Sequence, residues 1–212
     1  MKKIIFIGLL NLIFTFSFAQ IDVELIKKNV TENPKQNFYN LLETFNSNPE
    51  SLTQEQLNQL YFGSKFLKLE YSIGNYNQDY KKLWKQAEKK ISKSKAEKIE
   101  IETESKYHKY PFMNEILNNM INIYTALGNN EKIKICLTQI SAIENTIEKS
   151  GDGKTEETAI CVIRPGDVIS MLRNVGSSGF DQQQKTLKDG SIMTIYTING
   201  EKKYIKLVGG FF

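Results

Sequence analysis

Histidine is nearly missing from this chain: His108 is the single one among 212 residues. Zinc sites built on several imidazoles are thereby excluded, and a hydrolytic triad would have to be assembled around this one ring. No G-x-S-x-G elbow accompanies it. Arginine is almost as scarce, since the 28 basic residues include only Arg164 and Arg173. Little is left of the planar fork that reads phosphate and carboxylate bidentately. Cysteine is limited to Cys136 and Cys161. A disulfide between them would close a loop of about 25 residues, but both occupy apolar positions, where a thiol behaves as a small hydrophobe. Both readings of the cysteines stay open.

Phosphate and calcium loops are lacking as well. Gly151-Asp152-Gly153-Lys154-Thr155 joins glycines to a Lys-Thr pair, yet the P-loop spacing would place its first glycine at Glu148. Asp152, Glu156 and Glu157 are hard oxygen donors without the alternating pattern of an EF-hand. The segment reads as a turn held by Asp152 through its own backbone. Glu100, Glu102 and Glu104 alternate in a polar stretch, which reads as exposed charge rather than an acid–base pair. No catalytic residue, no metal ligand set and no cofactor is expected.

Long apolar runs are lacking too, with one exception at the start. Met1 to Gln20 has a basic start at Lys2 and Lys3, an apolar stretch from Ile4 to Phe18, and a small-x-small site at Ser17-Phe18-Ala19. That is the layout of a secretory signal peptide over residues 1–19. Its apolar run of about fifteen residues falls short of the roughly twenty that cross a bilayer. Gln20 stands where a lipoprotein needs cysteine. An exported protein, periplasmic or extracellular, with no membrane span after cleavage, is the expectation. Loss of Lys2 and Lys3 lowers the formal net charge of +4 by two, leaving little general attraction for nucleic acid. The lysine-rich run from Lys81 to Lys98 is interrupted by Glu88 and Glu97 and reads as solvated helix faces.

What is present is helical periodicity over residues 20–150. Phe38, Leu41, Leu42 and Phe45 predict a helix opened by Asn33-Pro34 and ended by Asn48-Pro49. Leu57, Leu60, Tyr61, Phe66 and Leu67 predict a second, running towards Gly74, and Tyr76, Tyr80, Leu83, Ala87 and Ile91 a third. The stretch from Lys93 to Lys109 is polar and weakly periodic. Phe112, Ile116, Met120, Ile123 and Leu127, then Ile133, Cys136, Leu137, Ile140, Ile143 and Ile147, mark two further helices joined at Gly128-Asn129-Asn130. The Tyr-x-x-(x)-Gly-Asn turns at Gly74 and Gly128 resemble those of tetratricopeptide hairpins, although their 54-residue separation departs from a 34-residue repeat.

From Gly151 the period changes from 3.6 to 2. Ala159 to Ile163 reads as a short strand stopped by Arg164-Pro165-Gly166, and Asp167 to Asn174 as a short helix with Val168, Met171 and Leu172 on one side. Residues 176–179 form a loop. Three strands follow, Gln182–Leu187, Ser191–Ile198 and Glu201–Val208, connected by Asp189-Gly190 and Asn199-Gly200. Four strands are too few to close a membrane barrel. The fold class is therefore α+β: N-terminal antiparallel helical hairpins over 20–150, then a small antiparallel β-meander over 151–212 packed on the helices.

The segment Ser150-Gly-Asp-Gly-Lys-Thr-Glu-Glu-Thr-Ala-Ile-Cys-Val-Ile163, with Asp167 to Leu172 and Gln182 to Leu187 after it, resembles a family of exported Bacteroidota proteins known only as a domain of unknown function. The resemblance spans most of the mature chain. It implies a tetratricopeptide-like helical part with a small C-terminal β part and no assigned activity. Arg164-Pro165-Gly166 and Met193-Thr194-Ile195 depart from the family's usual pattern.

Tyr61, Tyr71, Tyr76, Tyr80 and Trp84 concentrate aromatics on one hairpin, where they form either core or a stacking groove; Tyr107, Tyr110 and Phe112 extend the set. The expectation is a non-catalytic module that binds a protein or peptide through this groove. The alternative is a hydrolase acting on cell-envelope material, with a site where Asp152, Glu156 or His108 meets the β part.

Overall fold

The computed structural model describes residues 21–67, 91–172 and 181–210. The leader, four of the five groove aromatics (Tyr71, Tyr76, Tyr80, Trp84) and the 176–179 loop lie outside the described residues.

Helix α1, Val23–Glu32, starts at Asp22, whose side chain accepts from the Leu25 amide at 2.9 Å. It buries Ile26 and Val30, one turn apart. A π-helical turn, Lys35–Tyr39, follows Pro34 and runs straight into α2, Asn40–Ser47. Pro34 has no amide to donate and is pre-set for the first turn. Asn48 closes α2, and α3, Gln54–Gly63, opens with a capping box between Thr53 and Gln56. The predicted run of α3 through Leu67 is shorter in fact: Ser64–Phe66 tightens into a 3-10 turn.

The polar stretch that periodicity left unassigned is a helix, α4, Lys93–Lys109. Ser92 caps it, and it buries a stripe of Ala96, Ile99, Thr103 and Tyr107. Helices α5, Asn114–Leu127, and α6, Asn130–Glu148, make the predicted hairpin, with Gly128 left-handed at the turn and Asn129 capping α6. Leu137 departs from the expected apolar face and is 54% exposed, because the α6 stripe facing the other helices runs through Cys136, Gln139, Ile143 and Ile147.

Phe112, in the turn before α5, is the hub of the aromatic core. Its ring lies 6.4 Å from Phe38, 5.6 Å from Phe45 and 6.1 Å from Tyr61.

Strand β1, Ile160–Val162, is followed by α7, Pro165–Leu172, and by β2, Asp181–Thr186, β3, Ile192–Ile198, and β4, Glu201–Leu207. The order across the sheet is β1-β4-β3-β2. The β2-β3-β4 meander is antiparallel as expected, with Asp181 opposite Thr197 and Ile195 opposite Tyr204. Asn199 (φ 52°) and Gly200 (φ 85°) both take the positive φ that a type I′ turn demands. The sheet as a whole is mixed, because β1 joins β4 in parallel, Ile160 opposite Ile205. A three-residue apolar run carries no signal of direction. Its full burial on both faces suits a parallel strand. Thr194, Tyr196 and Ile198 face the core from β3.

One polar cluster ties the helices to the β part. The buried Tyr61 hydroxyl donates to Asp167 Oδ2 at 2.6 Å and accepts from the Ile163 amide at 3.3 Å. Arg164 pairs with Asp167 through Nη2, donates to the Phe112 carbonyl at 3.0 Å, and lies 3.6 Å from Glu115. Lys65, at the end of α3, donates to the Gly210 carbonyl at 2.7 Å. The loop before β1 is the expected turn: Asp152 Oδ1 accepts from the Lys154 amide at 3.0 Å and the Thr158 hydroxyl at 2.5 Å.

Candidate binding cavity in the helical part

Helices α4, α5 and α6, with the end of α2, border an open cavity of about 240 Å³. Its apolar lining comes from Met120, Ile135 and Cys136; its polar lining from Asn46, Glu104, Tyr107, His108, Tyr124, Lys132 and Gln139. Helical spacing puts these groups together. Glu104, Tyr107 and His108 stand at i, i+3 and i+4 on α4, and Lys132, Ile135, Cys136 and Gln139 repeat that step along α6.

Two hydrogen-bond networks shape the walls. In the inner one, buried Gln139 donates from Nε2 to the Phe45 carbonyl at 2.8 Å and to the Tyr107 hydroxyl at 2.7 Å. Tyr107 in turn donates to Asn46 Oδ1 at 2.7 Å. Burial raises the Tyr107 hydroxyl's pKa, so it stays protonated and able to donate.

The outer network is charged. Lys132 Nζ lies 2.7 Å from Glu104 Oε1, 3.2 Å from Glu100 Oε1, and 4.8 Å from the centre of the Tyr124 ring. The Tyr124 hydroxyl donates to the same Glu104 Oε1 at 2.7 Å. Burial opposes ionisation of Glu104, but the Lys132 and Tyr124 hydrogen bonds outweigh it and hold its pKa below the ordinary value. Glu104's hydrogen bond likewise raises Lys132. Tyr124 goes up through burial and through its bond to Glu104. Cys136 is pushed up to about 11 by burial, with Lys132 pulling the other way.

The arrangement suits holding a ligand: apolar, aromatic and ionised side chains line one cavity. The Cys136 thiol is protonated at neutral pH and is a poor nucleophile. Among the described residues no group of three or more His, Cys, Asp or Glu side chains is placed to hold a metal ion.

Of the aromatics singled out by sequence, Tyr61 belongs to the core, 2% exposed, with its hydroxyl spent on Asp167. Tyr110 and Phe112 are core residues as well. Tyr107 lines the cavity. The residues considered for a hydrolytic site divide among places: His108 lines the cavity, Asp152 holds its turn, and Glu156 pairs with Lys185 on β2 at 2.6 Å. Glu104, read in sequence as exposed charge, is partly buried and paired with Lys132 and Tyr124, and Lys132 and Gln139 were not among the residues singled out. Read in sequence, Glu100, Glu102 and Glu104 alternate; on a helix, Glu100 and Glu104 share a face towards Lys132, while Glu102 meets Lys106 at 3.1 Å. The signal was present only once α4 was known to be helical.

The elements and their order define an α+β protein whose helical part holds the cavity. The chain belongs to the family described as Domain of unknown function (DUF4919), whose model matches residues 24–198. None of the curated proteins and none of the solved structures matches it. No helix among the described residues is long and apolar enough to cross a membrane.

Proposed function

We propose that this is an exported, non-catalytic module that binds a polypeptide through its helical part, with the α4-α5-α6 cavity as the binding site. The observation that carries this reading is the cavity itself: about 240 Å³, lined by apolar Met120, Ile135 and Cys136 together with Asn46, Glu104, His108 and Lys132. That is below the range of about 300–1,000 Å³ for drug-sized ligands, and fits one side chain with its flanking backbone. Ile101, one turn before Glu104 on α4, is a further apolar side chain exposed to a partner. A stack of hairpins like α5-α6 is the arrangement tetratricopeptide proteins use to present such surfaces. Export to the periplasm or cell exterior is supported by the leader layout of residues 1–19 and the Ala19-Gln20 junction.

A hydrolase at the helix–sheet junction has less support. The buried carboxylate there, Asp167, is enclosed by Tyr61 and Arg164.

The test is a random-peptide display selection against the purified protein, with affinities measured by calorimetry for wild type and for Ile135→Trp, which fills the cavity. Enrichment of a peptide whose affinity falls at least tenfold in the variant is the expected result. Peptides that bind both proteins equally, or no enrichment at all, would overturn the cavity as the binding site.

A further inference from the structure

The charges around the cavity do not balance. Glu100 and Glu104 bring two carboxylates to Lys132, which brings one ammonium. The trio of Glu100, Glu104 and Lys132 carries one net negative charge. Both hydrogen bonds to Glu104, from Lys132 and from Tyr124, fall on Oε1, and among the described residues Oε2 accepts none. Lys106 is occupied with Glu102. The thioether of Met120 and the aliphatic side chain of Ile135 line the same cavity. An ionised acceptor beside an aromatic ring, in a cavity also lined by apolar side chains, matches a side chain with a methylene stem and a cationic head.

We propose that the cavity recognises a primary ammonium group on an apolar stem, a lysine side chain of the partner polypeptide. This rests on the binding reading above and adds the chemistry of the anchor. The stem lies against Met120 and Ile135, and the ammonium reaches Glu104 Oε2 beside the Tyr124 ring. Lys132 bridges the two glutamates and sets the remaining charge to one. Glu104 stays ionised at neutral pH because Lys132 and Tyr124 hold its pKa down, against the effect of burial.

The experiment is a calorimetric titration of the protein with acetyl-Gly-Gly-Lys-Gly-Gly-amide and with its norleucine counterpart, nearly equal in shape and uncharged. The lysine peptide is expected to bind about tenfold more tightly, and Glu104→Gln, which keeps the Oε1 acceptor, to remove that advantage. Lys132→Met, which leaves two unmatched carboxylates, is expected to move affinity the other way, at least threefold tighter. Opposite effects of these two variants are not what a merely structural role produces. If Glu104→Gln does not fold, Lys132→Met decides alone. Equal binding of both peptides, unaffected by either variant, overturns ammonium recognition and leaves the cavity reading standing. Failure of the lysine peptide to bind also overturns it, and the cavity reading is then judged by the display selection.

Discussion

Tyr61 brings a hydroxyl into a core otherwise made of Phe38, Phe45, Phe62 and Phe112, and Asp167 meets it there. Burial pushes both Asp167 and Tyr61 up, Arg164 opposing it in each case. Tyr61→Phe therefore leaves a buried carboxylate and the Ile163 amide each short of one partner. An unsatisfied buried group costs about 1–3 kcal/mol. Urea unfolding of Tyr61→Phe is expected to show a loss in that range, and Tyr61→Phe combined with Asp167→Asn less than the sum of the two singles. A loss below about 0.5 kcal/mol would mean that the contact contributes nothing net. The two cysteines are free, buried and each pushed up to about 11, chiefly by burial. A thiol-specific reagent at pH 8 is expected to modify neither in the native protein and both in urea; rapid native labelling would contradict their placement. Tyr61 was legible in sequence as an aromatic on a helical stripe. That its hydroxyl would be spent on Asp167, 106 residues away, was not, since no local pattern encodes so distant a pairing.

At the scale of the elements, α1 and α3 approach so closely that a Cβ on Gly63 would sit 2.6 Å from Val30 Cγ1. Gly63→Ala is expected to destabilise by about 1–3 kcal/mol through overpacking, and Val30→Ala in the same chain to recover part of that loss in thermal unfolding. Full tolerance of Gly63→Ala alone would contradict the contact. Ile195 sits in β3 with strands on both sides, opposite Gln183 and Tyr204. Ile195→Pro is therefore expected to abolish cooperative unfolding, because the strand's flanking ladders leave proline no place. The meander was readable in advance, since Asn199-Gly200 is a local turn signal and the strands alternate with period two. Helix α4 was not, because its buried stripe is narrow and includes Thr103 among Ala96, Ile99 and Tyr107. The cavity depends on α4, so the site could be no more legible than the helix that builds it.

For the whole molecule, the charged groups predict opposite responses to acid and to base. Glu104 is held below the unfolded carboxylate value of about 4.3, so its contribution is present above that pH and disappears as pH falls through its folded value. Lys132→Met is expected to move the acid-unfolding midpoint to higher pH, and an unchanged midpoint would contradict the coupling. Lys65, lowered to about 8 by burial, gives a slope of the same sign in a basic window. The unfolded chain holds that proton up to about 10.4, so stability from this group rises with pH between about 8 and 10.4. Lys65→Met is expected to flatten that rise in a pH series of urea midpoints. The central claim remains that the helical part receives a polypeptide in its cavity. Met120 lines that cavity, and Met193 is buried in β3 of the sheet. The most direct measurement follows the methyl resonances of the methionines in the labelled protein as a display-selected peptide is titrated in. A saturable shift of Met120 with Met193 unmoved is the predicted result; tight binding that leaves Met120 where it was would contradict the account.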